Sequence, residues 1–247
     1  MKKIITTAVF LVFSTIQAHA LDLSAFSLTG GLAHSQGVFG ATAKETNLDD
    51  TGVANTIKKE SGVFTESFGS QFIEIGIGQY VSFGYEITPD AISTPTNTTR
   101  HKLLYTAQGD PLPGGNNEMN VSVDFNDLNT TYAKINIPGG MYLKAGYVET
   151  DLDIKEVMTS GSTYKNVSTK GEMMALGYQY FIKDTGFGLR FEGSYLELDN
   201  VTTSNGVSLT GGNADNGGRN QIDASNLEGL TGKVALTYTF GRAGNSF

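Results

Sequence analysis

Neither cysteine nor tryptophan occurs among the 247 residues, and proline (5) and histidine (3) are scarce. Without thiols, no disulfide and no thiolate metal site can hold the chain together, so stability must come from sheet closure and burial. Positive charge is also in deficit: 17 Lys and Arg stand against 25 Asp and Glu, a formal charge of −8. That balance leaves no basic stripe, and nucleic acid is set aside as a partner. Beyond residue 20 no apolar run approaches the roughly 20 residues a spanning helix needs. No phosphate-cradling glycine loop, zinc spacing or nucleophile elbow is found, and no cofactor is expected.

The first twenty residues have the three zones of an export signal: the basic Met1-Lys2-Lys3, an apolar run from Ile4 to Ile16, and the small-residue site Ala18-His19-Ala20. Residues 1–20 are therefore read as a signal peptide. Residues 21–247 are read as one all-β domain, a length such domains reach without splitting.

Period-two alternation recurs through the remaining chain, and helical spacing is nowhere sustained. A first strand puts Phe26, Leu28, Gly30 and Leu32 on one face, and becomes less regular towards Phe39. Three hairpins follow. Ile73, Ile75 and Ile77 pair with Val81, Phe83, Tyr85 and Ile87 across a turn of about two residues near Gln79-Tyr80. Thr131 to Ile137 pair with Met141 to Tyr147 around Pro138-Gly139-Gly140. Met174 to Tyr180 pair with Phe187 to Tyr195 across Lys183-Asp184-Thr185-Gly186. A last strand carries Val234, Leu236, Tyr238 and Phe240.

The count is eight, which brings first and last strands to the same side so that they can pair. Connections alternate in length: the three turns are short, whereas loops near 46–69, 88–127, 149–170 and 199–226 are long, polar and expected to be solvated, with little core of their own. These features describe an eight-stranded antiparallel up-and-down transmembrane β-barrel with short periplasmic turns and four long extracellular loops.

The closing segment Gly232-Lys233-Val234-Ala235-Leu236-Thr237-Tyr238-Thr239-Phe240-Gly241 resembles the last strand of small outer-membrane β-barrel proteins of the outer membrane protein A and X type. Ile75-Gly76-Ile77-Gly78-Gln79-Tyr80-Val81-Ser82-Phe83-Gly84-Tyr85 has a similar look. The resemblance implies residence in the outer membrane among its lipids and lipopolysaccharide. It also implies an assembly signal, read by the barrel assembly machinery, for which Gly232, Tyr238, Phe240 and Phe247 are the candidate residues. Because Arg242 to Ser246 separate the two phenylalanines, either could serve.

If the aliphatic faces meet lipid, the opposite faces put Glu74, Glu86, Lys134, Lys144, Arg190, Glu192 and Lys233 inside. Glu74, Lys134, Lys144 and Arg190 each lie about four to six residues from a short turn, hence at similar depth. An eight-stranded barrel is only wide enough for side chains to fill, so these charges are expected to pair as a layer that plugs the lumen. The rival reading of the same residues is a narrow porin-like channel for small solutes. A soluble calycin-like barrel, with those charges outside, is a further alternative.

Tyr80, Tyr142, Tyr178, Tyr180, Tyr195 and Tyr238 lie towards strand ends and are expected in interfacial girdles. His34 beside Ser35 raises a lipid-modifying enzyme as another alternative, but neighbouring residues on a strand point to opposite faces. His101, beside Arg100 and Lys102, reads as a solvated loop cluster. Glu149, Asp151 and Asp153 alternate without the converging oxygens a hard cation needs. The expectation is a non-enzymatic barrel with a structural or surface-interaction role, its extracellular loop partner unidentified.

Overall fold

A computed structural model describes residues 26–48, 54–101, 117–158, 164–205 and 219–241. The proposed signal peptide and Phe247 lie outside these residues, as do the centres of the four long connections. The elements are β1 (Phe26–Leu48), β2 (Ala54–Ile77), β3 (Val81–Thr88), β4 (Ile92–Ser93), β5 (Asn97–His101) and β6 (Asn117–Asn136). Then follow β7 (Met141–Met158), β8 (Val167–Phe181), β9 (Phe187–Leu198), β10 (Val201–Ser204) and β11 (Arg219–Gly241).

Eight of these form a ring in the order β1-β2-β3-β6-β7-β8-β9-β11, closed by antiparallel pairing of β1 with β11 from Ser27↔Gly241 upward. The other three continue interrupted lines. β4 and β5 carry on along β6 where β3 stops, and β10 carries on along β11 where β9 stops. Pro89 and Pro95 fall in the two gaps of the first line, where proline has no N–H to give the ladder.

Tracing direct partners around the ring from Ser67, through Gln36, Gly232, Gly193, Leu176, Leu143, Ile135 and Val81, returns to β2 at Ile77, ten residues from the start. With eight strands this stagger sets a strand tilt of about 40° and a backbone radius of about 8 Å. Such an interior is filled by side chains.

The ring's polarity is the reverse of a soluble domain's. Leu28, Leu32, Ile73, Ile75, Leu143, Leu176, Phe191, Leu236 and Phe240 are exposed on the outside. Buried on the inside are Ser27, Thr29, Ser82, Thr237, Thr239 and the charged residues described below. On β7 the outward series Met141, Leu143, Ala145, Tyr147 gives way to Glu149 and Asp151, marking the upper edge of the apolar belt. An edge-free sheet with an apolar exterior satisfies its backbone without water, which is the requirement for crossing lipid. The calycin-like arrangement, with its apolar face turned inward, is thereby set aside.

The turns confirm the register with one change. Gly78, Gln79 and Tyr80 form a three-residue connection, with Gly78 at φ +63, rather than the two-residue turn expected. At Pro138-Gly139-Gly140 both glycines have φ near +90, which a side chain would strain.

The strands and loops need larger correction. The strands do not stop at membrane thickness: β1 and β2 run 23 and 24 residues, so most of the span read as a loop at 46–69 is a paired hairpin. Likewise the expected loop at 88–127 contains β4, β5 and the start of β6, and Arg100 and His101 end β5. The span 149–170 holds the upper half of β7 and the start of β8, and 199–226 holds β10 and the start of β11. Above the belt, bulges on β11 at Asn226, opposite Ala41 and with φ 52, and on β6 at Asp127, with φ 49, bend the sheet where it leaves the lipid.

Candidate functional site

All seven charges assigned to the interior lie within the ring, every one of them buried. Hydrogen bonding divides them into two groups. In the first, Arg190 on β9 makes a bidentate contact with Glu74 on β2, its Nη1 and Nη2 donating to Oε1 and Oε2 at 2.6 and 2.9 Å. Lys134 on β6 donates to Oε2 at 2.6 Å, and the Tyr132 hydroxyl donates to Oε1 at 2.9 Å. Arg190 Nε donates to Gln179 Oε1 at 2.7 Å, and Gln179 Nε2 donates in turn to Thr237 Oγ1 at 2.9 Å.

In the second group two lysines bridge two carboxylates. Lys144 Nζ lies 3.0 Å from Glu86 and 3.0 Å from Glu192. Lys233 contacts the same pair, bonded to Glu86 and 3.3 Å from Glu192. Ser70 Oγ donates to Glu86 at 2.7 Å and Tyr142 to Glu192 at 2.8 Å. Tyr132 joins the groups: its hydroxyl serves Glu74 while Lys144 sits over its ring, 4.2 Å from the centroid. Arg190 is stacked over Phe72 at 4.6 Å. Every carboxylate here has at least three donors, the condition under which buried charges are tolerated.

Reading the sequence alone missed Tyr132, Tyr142, Ser70 and Gln179. Tyr142, expected in an interfacial girdle, is instead fully buried. The signal was present, because Tyr142 alternates with the outward Met141 and Leu143 and must therefore face inward. Tyr80, Tyr178, Tyr180 and Tyr195 are on the outer surface. Tyr238 packs edge-on against Phe187 at 4.8 Å and Phe240 at 4.6 Å.

Above the ionic layer the interior turns apolar. Phe39, Phe68 and Ile92 form one buried cluster, and Val148, Met173, Ala175, Leu198 and Leu227 another. Phe125, Leu128 and Leu196 pack against both, so the two are continuous across the lumen. Phe39 stacks on Phe64 at 5.4 Å between centroids. The spans around these residues therefore carry a core of their own, contrary to the expectation of solvated loops.

The remaining candidates separate. His34 is exposed on the outer face of β1 and Ser35 is completely buried, so the two do not converge. Asp151 accepts a hydrogen bond from Ser168 at 2.5 Å, and among the described residues no group of Asp, Glu and His is placed to hold a metal ion. Of the four residues proposed as an assembly signal, Gly232, Tyr238 and Phe240 face outward on β11.

The closed ring, its short turns at one end and its inverted polarity define the class: a transmembrane β-barrel of the outer-membrane type. Among solved structures, the chain is similar to the outer membrane protein OprG of Pseudomonas aeruginosa, at 13% identity and a TM-score of 0.49, covering 86% of this chain and 97% of that one. It is also similar to the outer membrane protease OmpT of Escherichia coli, at 11% identity and 0.45, covering 92% and 100%. A third is the outer membrane protein AlkL in lipid bilayers, at 11% identity and 0.41, covering 93% and 97%. No family model matches the chain, and no curated protein matches its sequence.

Proposed function

We propose that this chain is a closed, non-conducting outer-membrane barrel with a structural or surface-interaction role. The observation that carries the reading is the stacking of two barriers in one narrow lumen, a paired ionic layer beneath a continuous apolar cluster. With the lumen filled, what the molecule offers its surroundings is its outer surface: an apolar belt for outer-membrane lipids and lipopolysaccharide, and long paired hairpins above it for an extracellular partner. Gly232, Tyr238, Phe240 and Phe247 remain the residues proposed for recognition by the assembly machinery. The reading is non-enzymatic, since His34 and Ser35 face opposite sides of the sheet.

Planar-bilayer recording of the purified barrel tests it, with background conductance expected. A steady large conductance altered by Lys144→Ala would establish the narrow channel instead. Mass analysis of lipid A from cells with and without the protein covers the enzymatic alternative, for which a modification lost in His34→Ala would be decisive.

A further inference from the structure

The buried ionic layer is not neutral. Lys144 and Lys233 match Glu86 and Glu192, but Glu74 alone faces both Arg190 and Lys134. With every group ionised, the group nearer the periplasmic turns therefore carries one surplus positive charge on side chains that are themselves buried. Among the described residues Lys134 Nζ has one hydrogen-bond acceptor for its three hydrogens, a Glu74 oxygen, and it also lies over the Tyr142 ring, 5.4 Å from the centroid.

Between that group and the turns lies a cavity of about 30 Å³, bordered by Lys134 and Arg190 and by Ser27, Thr29, Ser82, Asn136, Gln179 and Thr239. Among the described residues no carboxylate lines it, and Met141, Phe181 and the turn glycines Gly78 and Gly140 complete its wall. Its lining is rich in donors. Thr29 and Thr239 share a single hydrogen bond at 2.9 Å, which uses one hydroxyl hydrogen and leaves the other to point elsewhere. The volume suits one water-sized particle and excludes a hydrated polyatomic ion.

We propose that this cavity is a binding site for one small monovalent inorganic anion of halide size, held by Lys134 and the Thr29–Thr239 hydroxyls and neutralising the Glu74 group. A halide needs only donors and positive charge, which is what the cavity presents. The inference rests on the closed-lumen reading, because in an open pore the surplus charge would be met by mobile ions.

The test is the unfolding midpoint of the full-length barrel in detergent, read by heat-dependent gel mobility, as chloride replaces gluconate at constant ionic strength. A saturable rise in midpoint is expected, together with a bromide anomalous peak beside Lys134 Nζ in crystals grown with bromide. Lys134→Met neutralises the group and should abolish the halide dependence, whereas Lys155→Met, which removes an exposed cation above the belt, should retain it. If Lys134→Met does not fold, Thr239→Val replaces it, with a weakened halide response expected. A midpoint indifferent to halide, or a dependence equal in wild type and Lys134→Met, overturns the site. Bilayer conductance reports failure of the closed-lumen reading separately.

Discussion

Tyr142 lies across Gly177 on the neighbouring strand, so close that a Cβ at Gly177 would run into the ring's Cζ and hydroxyl. The same hydroxyl donates to Glu192 at 2.8 Å, which fixes the ring from its far end. Inward aromatics repeat this arrangement: Phe72 covers Gly31 and Tyr132 covers Gly84, in each case the directly paired residue. The missing side chain on one strand makes room for the large one on the next, in a lumen of about 8 Å radius that side chains fill.

Gly177→Ala is accordingly expected to destabilise the barrel by about 1–3 kcal/mol through overpacking. Gly193→Ala, on the outer face where a Cβ would meet nothing within 4 Å, should be nearly neutral. Urea titration in detergent, followed by gel mobility, compares the two.

Removing Glu74 strands two buried cations. Glu74→Ala should cost about 3–5 kcal/mol, the range for breaking a buried pair from one side. A double variant, Glu74→Met with Arg190→Met, should recover much of that loss in the same titration, because it removes charge from both sides. No recovery would mean that the Glu74 carboxylate does more than balance Arg190.

On the closed-lumen reading the two barriers act in series, so breaking one should leave the lumen shut. Phe39→Ala empties space in the apolar cluster and should cost about 3–5 kcal/mol. Conductance in planar bilayers should nonetheless stay at background while the ionic layer persists. Conduction by Phe39→Ala alone would show that the apolar cluster is the true seal.

Above the belt, Asp124 is paired with Lys155. The hydrogen bond from Lys155, with a second from Ser93, holds the Asp124 carboxyl below its ordinary range. A carboxyl lowered by folding contributes stability above its unfolded value, near 3.9, and that contribution is lost as pH falls through the folded value. Carbon-detected NMR of Asp124 should show its midpoint rise in Lys155→Met, and Asp124→Asn should remove the corresponding acid-side loss of hairpin order.

Much of the ring was readable because the membrane enforces alternation. Within the belt each outward position must be apolar, so Ile73, Ile75 and Ile77 revealed their strand and, by parity, placed Glu74 inside. Above the belt that constraint disappears. Pairs such as Lys44 with Lys59 and Glu45 with Lys58 are polar on both strands, and their ladder is held by backbone hydrogen bonds that leave no hydrophobic pattern. The apolar cluster was hidden for another reason. Phe39, Phe68, Ile92 and Phe125 come from four distant stretches, and only closure of the ring brings them together.

Closure itself joins residues 27 and 241, nearly the whole length of the chain apart. Until that last seam forms, the lipid-compatible surface does not exist as a surface. Its apolar residues are separated one by one by serines, threonines, glycines and charges, and no stretch is oily enough to halt in a bilayer as a helix. The pairing of the first and last strands is what joins the scattered side chains into a continuous belt.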